Sequence, residues 1–222
     1  MSLRLTTAGV AAAAWLAPSV AAHVRVGQLV GIRYASGSAR RVALTFDDGP
    51  QPIESDHVVA ALAELDVRAT FFVLGEHAER HPDLVRRLVD AGHDVQSHGY
   101  RHVDHLLRSP LQLGEDLLRA RDIIEAITGR APTLYRPPHG VVTWPTLGAA
   151  RAAGQQVMLW TRWGRDWQAS ATAASIARRS TRTIAGGDTL LLHDASWYGR
   201  GSARRTAAAL AMIVRHVQLR GL

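Results

Sequence analysis

Short apolar runs alternate with longer amphipathic stretches along most of this chain of 222 residues. Candidate strands lie near 41–46, 69–73, 94–97, 133–136, 156–160 and 189–192. Between them apolar residues recur at helical spacing. Val58, Val59, Leu62 and Leu65 follow Ser55, which is placed to cap a helix. Leu84, Val85, Leu88 and Val89 lie between Pro82, a helix-opening residue, and Gly92, a helix-ending one. Ser109-Pro110-Leu111-Gln112 reads as a capping box, opening a longer helix through Ile124 and Ile127 to Gly129. Thr172 caps the segment to Thr183, and the last helix runs from about 202 to 217. Strands that alternate with helices imply a parallel sheet in one α/β domain. The pattern fits a closed barrel and an open doubly wound sheet equally.

The N-terminus breaks this rhythm. Arg4 precedes an apolar run from Ala8 to Ala22, interrupted by Pro18 and Ser19, with Val20-Ala21-Ala22 as small residues suited to cleavage. This reads as a secretory signal peptide or a short uncleaved anchor, with an amphipathic helix on the domain as the alternative. It is too short and interrupted for a stable membrane span. Residues 1–22 are therefore set apart from a domain over 23–222. An envelope or secreted location follows from an export signal, a cytoplasmic one from its rejection.

Composition then narrows the chemistry. Hydrophobic residues make up 47% of the chain, enough for a core, which excludes whole-chain disorder. With no cysteine, disulfides, cysteine nucleophiles, iron–sulfur centres, cysteine zinc sites and the zinc nucleobase deaminases are excluded. The net charge of +7 reads first as a solvated basic surface and second as attraction to an anionic cell-wall polymer. No nucleic-acid motif accompanies it, so no nucleic-acid partner is expected.

Two features remain at predicted strand ends. Asp47 and Asp48 close the apolar run Val42-Ala43-Leu44, and adjacent carboxylates repel unless a cation lies beside them. A metal held by one acid would leave the other as a base. The rival, a tight Asp-Gly hairpin turn, needs a second strand at once, whereas Pro50-Gln51-Pro52 follows. Among 11 histidines, two pairs are spaced by four, His77/His81 and His98/His102. His77/His81 lies in a polar stretch before Pro82 and reads as a solvated loop. His98/His102 follows a strand ending, as the acids do. Two imidazoles and one carboxylate suit a zinc-like ion with an open position for water.

These residues resemble the NodB-homology polysaccharide deacetylases, carbohydrate esterase family 4. Five motifs occur in the family's order: Thr45-Phe46-Asp47-Asp48-Gly49, His98-Gly99-Tyr100-Arg101-His102, Arg136-Pro137-Pro138-His139-Gly140, Arg165-Asp166-Trp167 and Leu191-Leu192-His193. Ala69 to Gly75 is also family-like, and the likeness covers roughly 41–220. The chain departs from the pattern at Gly99, usually Ser or Thr, at His139, usually aromatic, and at Trp163, where an acid is common. The family's last strand usually follows the helix that ends near Gly221, and this chain stops at Leu222. The resemblance implies a single-domain irregular (β/α) barrel of about seven parallel strands, complete or short of that last strand.

The same resemblance implies roles. Asp48, His98 and His102 would hold a divalent metal, zinc first and cobalt or another transition metal second. Asp47 would be the general base, Arg136 would orient it and hold it ionised, and the His139 N–H would complete an oxyanion hole. His193 would be the general acid, paired with Asp166, while Trp167 and Leu191 would line the acetyl pocket. Trp163 offers an apolar face to a sugar ring. The implied activity is metal-dependent removal of N-acetyl groups from N-acetylglucosamine polymers, chitooligosaccharide or peptidoglycan, by a monomer. The rivals are an acetylxylan esterase, a cyclic amide hydrolase and an inactive carbohydrate-binding protein. Some residues carry plainer readings. His105 and His93 are expected to be structural, Trp160 a core aromatic, and the His139 side chain either a substrate contact or a space-filler.

Overall fold

The computed structural model describes residues 24–197 and 199–222. The segment read as a signal peptide or anchor, 1–22, lies outside them. Seven strands form one parallel sheet: β1 (Ala43–Asp47), β2 (Thr70–Val73), β3 (Asp94–Ser97), β4 (Leu134–Tyr135), β5 (Gln156–Val157), β6 (Arg162–Trp163) and β7 (Thr189–His193). Their order is β5-β4-β3-β2-β1-β7-β6. The two edge strands are neighbours in sequence, and residues 158–161 alone separate them. So short a link cannot span an open sheet of this width, since strands stand about 4.8 Å apart. The sheet must curl until its two edges approach each other, which resolves the ambiguity of the sequence pattern in favour of a curled, half-barrel form. Arg33 adds a parallel bridge to Met158 at that seam.

Helices α1 (Val24–Leu29), α2 (Glu54–Glu64), α3 (Gly75–Arg80), α4 (Pro82–Asp90), α5 (Pro110–Thr128), α6 (Trp144–Ala152), α7 (Ala173–Thr181) and α8 (Ser202–Leu219) flank the strands. Ser109, Thr143 and Thr172 cap α5, α6 and α7, each accepting from the backbone N–H three residues on. One core cluster packs Phe46, Phe71 and Leu190 of the sheet against Val58, Leu62, Val85, Leu88, Leu210 and Ile213 of the helices. A second joins Ile32, Tyr34, Leu117, Val142 and Val157. Among the described residues no helix is long and apolar enough to cross a membrane.

Three expectations need correction. Helix α2 begins one residue before Ser55, and Ile53, at φ +70°, precedes it. The Ser55 hydroxyl instead donates to the buried carboxylate of Asp194 at 2.6 Å, so a tertiary contact takes the group that local sequence assigns to a cap. The run near 156–160 is shorter than expected, and a further strand, β6, follows it. His77 is not in a solvated loop; it is buried on α3.

Candidate active site

Parallel strands present their C-terminal ends on one side of the sheet, and the chemistry gathers there. Asp47 ends β1 beside His193, its register partner at the end of β7. His98 follows β3, and Arg136 follows β4. Asp48, His98 and His102 offer ligand atoms that all lie within 4.8 Å of one another, and among the described residues no other group of three does so.

The donor set fits a cation. His98 Nδ1 lies 2.6 Å from the carbonyl of Arg136. A carbonyl only accepts, so Nδ1 carries a proton and Nε2 is the nitrogen left to face the cluster. His98 Nε2 faces Asp48 Oδ1 at 3.2 Å, and His102 Nε2 faces the same oxygen at 3.4 Å. Asp48 Oδ1 is buried without a hydrogen-bond partner. Burial alone would raise its carboxyl, but the imidazoles of His98, His193 and His102 reverse this and hold it far below the usual carboxylate range. Burial, then the charge of His98, lowers His102 to about 4, leaving a neutral imidazole suited to ligation.

Asp47 stands on a different partner. Arg136, fully buried, donates from one nitrogen to Asp47 Oδ1 and to the Thr45 hydroxyl, each at 2.7 Å. Its other nitrogens reach the carbonyls of Met158 and Leu159, and its plane lies 4.0 Å from the Phe72 ring centre. Removing one partner of a buried ion pair of this kind costs about 3–5 kcal/mol. The stiff surface turn that Arg136-Pro137-Pro138 suggests in isolation is therefore not what forms.

Across the site, His193 Nδ1 donates to Asp166 Oδ1 at 2.8 Å. The other Asp166 oxygen accepts from the His193 N–H and from the Thr206 hydroxyl. This leaves His193 Nε2 turned toward the site, 4.0 Å from Asp48 Oδ2. Burial opposes a charge on His193, but the Asp166 carboxylate, with help from Asp48 and Asp47, overrides it and lifts the imidazole to about 10. At neutral pH it is an imidazolium ready to donate.

A cavity of about 260 Å³ opens over these groups, lined by both aspartates, the three imidazoles at 98, 102 and 193, Pro137, His139 and Gly140, and an apolar side of Trp160, Trp163, Trp167 and Leu191. Trp160, Trp163 and Trp167 form a run with ring centres 6.1 and 5.5 Å apart, and Trp167 meets His193 edge-on at 5.3 Å. The exposed His139 packs edge-on against His102, with ring centres 4.5 Å apart and its backbone at φ +58°. Trp160 is thus more than a core aromatic; the recurrence of tryptophan at 160, 163 and 167 is the signal that could have marked it. His105 and His93 are structural, as expected. His105 bridges Tyr135 and Thr146, and His93 accepts from the Ala69 N–H.

The departure at Gly99 has a local cause. This residue has φ +88°, and a Cβ there would press on the Asp116 carboxylate. Asp116 accepts from the N–H groups of Tyr100 and Arg101 at 2.7 and 3.3 Å. A carboxylate from α5 thus organises the loop between His98 and His102 without a hydroxyl at position 99.

Comparison with known proteins agrees with this geometry. Residues 35–158 match the family model described as polysaccharide deacetylase. A peptidoglycan-N-acetylglucosamine deacetylase of Bacillus cereus is 33% identical over 183 residues, covering 81% of this chain and 83% of the relative. A chitooligosaccharide deacetylase of Bradyrhizobium sp. is 33% identical over 192 residues, covering 82% and 86%. The crystal structure of the Bc1960 peptidoglycan N-acetylglucosamine deacetylase superposes with a TM-score of 0.81 at 26% identity, over 90% of this chain and 91% of that one.

Proposed function

The chain belongs to the polysaccharide deacetylase family, and from that premise we propose that it hydrolyses N-acetyl groups on N-acetylglucosamine-containing polysaccharide, chitooligosaccharide or peptidoglycan. The observation that carries this reading is a carboxylate with its arginine and an imidazolium with its carboxylate, facing each other across one Asp–His–His cluster.

Asp48, His98 and His102 would hold the divalent ion, zinc in this reading. Such an ion supplies Lewis acidity, polarising the amide carbonyl and lowering the pKa of a water to about 7. Asp47 accepts the proton of the attacking water, and Arg136 holds that carboxylate in place. The His139 N–H donates to the developing oxyanion, a contribution of about 3–4 kcal/mol when such a donor is preorganised. His193 Nε2 gives its proton to the departing nitrogen, so the product leaves as an amine. Trp167 and Leu191 enclose the acetyl methyl. We assign the domain to residues 23–222, read 1–22 as an export signal or anchor, and place the monomeric enzyme at the envelope or outside the cell. The likeness to deacetylases of peptidoglycan supports that location.

Acetate release from chitooligosaccharides, peptidoglycan and acetylxylan, measured side by side, tests the assignment. Activity on the first two is expected, and best activity on acetylxylan would overturn it. Trp163, whose indole is 38% exposed at the cavity rim, offers a sugar ring an apolar face. Binding energy from remote sugar units can be used at the reacting centre. Trp163→Ala should therefore lower kcat/KM on oligomers far more than on a minimal acetamide. Equal losses on both would assign the residue to packing.

A further inference from the structure

The Asp48–Gly49 peptide group is held at both of its poles by residues the proposed chemistry leaves unused. Its carbonyl oxygen accepts from His77 Nδ1 at 3.2 Å and from Trp197 Nε1 at 3.3 Å. Its N–H donates to Asp194 Oδ1 at 3.1 Å. The next carbonyl, that of Gly49, accepts from the Leu74 N–H at 2.9 Å. A Cβ at position 49 would collide with the Asp194 carboxylate, so only glycine lets this carboxylate close on the peptide.

Asp48 itself has φ +79°. That region is unfavourable for a residue with a Cβ and persists where the surroundings over-determine it. Here the determinants are visible. Strand β1 is paired on both sides up to Asp47, which fixes the chain before Asp48. The clamped peptide fixes it after. With both ends set, the Cα–Cβ direction of Asp48 follows, and with it the aim of the carboxylate at His98 and His102. The two carbonyl donors come from far apart in sequence, His77 from α3 and Trp197 from the segment after β7. They also brace each other, with ring centres 4.8 Å apart. Trp197 is half-exposed; its N–H could have turned to water and instead points inward to this carbonyl.

We propose that His77 and Trp197 are positioning residues for the Asp48 carboxylate, setting its geometry as a metal ligand through the peptide that follows it. The inference rests on the reading of Asp48, His98 and His102 as the ligand set. It also gives His77 a task distinct from ligation: its Nδ1 proton holds the backbone of a ligand.

His77→Phe and Trp197→Phe each keep an aromatic ring and remove one donor, and His77→Asn restores a side-chain donor. Co2+ affinity, by competition with a chelating dye, and the visible absorption of bound Co2+ report on the site independently of turnover. The double Phe variant should bind Co2+ about 10–100-fold more weakly, the range expected when groups that orient a ligand are lost, with an altered absorption band. Each single variant should lose less, and His77→Asn should recover most of the loss at that position. If the double variant does not fold, the single variants carry the test. Folded variants with wild-type affinity and absorption, changed only in the unfolding temperature of the metal-free protein, would overturn the proposal. Wild-type protein that fails to bind Co2+, or His98→Ala that binds it equally well, would overturn the ligand assignment and this inference with it.

Discussion

His98→Ala is expected to lose both the metal and the activity. His98 is buried, its ring is fixed by the Arg136 carbonyl, and its Nε2 faces the same Asp48 oxygen as His102. With three protein ligands and water completing a zinc-like site, elemental analysis of the wild type should find about one divalent ion per chain. The variant keeps only Asp48 and His102 and should retain little. Lewis-acid activation of water and carbonyl contributes several kcal/mol to barrier lowering, so the rate should fall by about 10³-fold or more. A chelator should do the same to the wild type, and added Zn2+ should restore it. A variant that keeps its metal and full activity would sink the ligand assignment.

Parts of this site were legible in the sequence because they punctuate strands. Asp47 and Asp48 end an apolar run, His98 follows a segment read as a short strand, and parallel strands bring such ends together whatever their separation in the chain. The roles proposed for Arg136, Asp166 and His193 came only through the family's motif order. Nothing in the local pattern of Arg136-Pro137-Pro138 announces a fully buried guanidinium, because its partners, Thr45, Asp47 and the carbonyls of Met158 and Leu159, lie far away in sequence.

What the sequence hid has the same character. Helix α3 is polar and six residues long, so no apolar stripe marks His77 as buried; Trp197, 120 positions later, packs on it. Ser55 has the residue type and place of a cap, yet its hydroxyl is used by Asp194. Strand β6 is two residues long, too short to leave a pattern of its own, and lies just beyond the run read at 156–160. Its separate pairing with β7 is a consequence of the sheet curling, which no local period encodes.

His193→Ala is expected to cut kcat by about 10²–10⁴-fold and to remove the alkaline limb of the pH profile, the signature of a lost general acid. The sign follows from the direction of the shift. His193 is raised to about 10 by Asp166 and the site carboxylates against the opposing effect of burial, so its acid form is populated throughout the neutral range and disappears as pH climbs through that value. A cation at Asp48 would cancel part of this attraction, which sets the alkaline limb of the loaded enzyme between the ordinary imidazole value and about 10. The acidic limb reports whatever group must lose a proton before the water attacks and should survive in His193→Ala. Asp166→Asn keeps the shape of the partner but removes its charge, so the alkaline limb should move to lower pH while the acidic limb stays. Buffered pH–rate profiles of kcat for the wild type and both variants separate these cases. An unchanged kcat in His193→Ala would mean that another group protonates the leaving amine. An unmoved limb in Asp166→Asn would mean that the carboxylate orients the ring without setting its proton affinity.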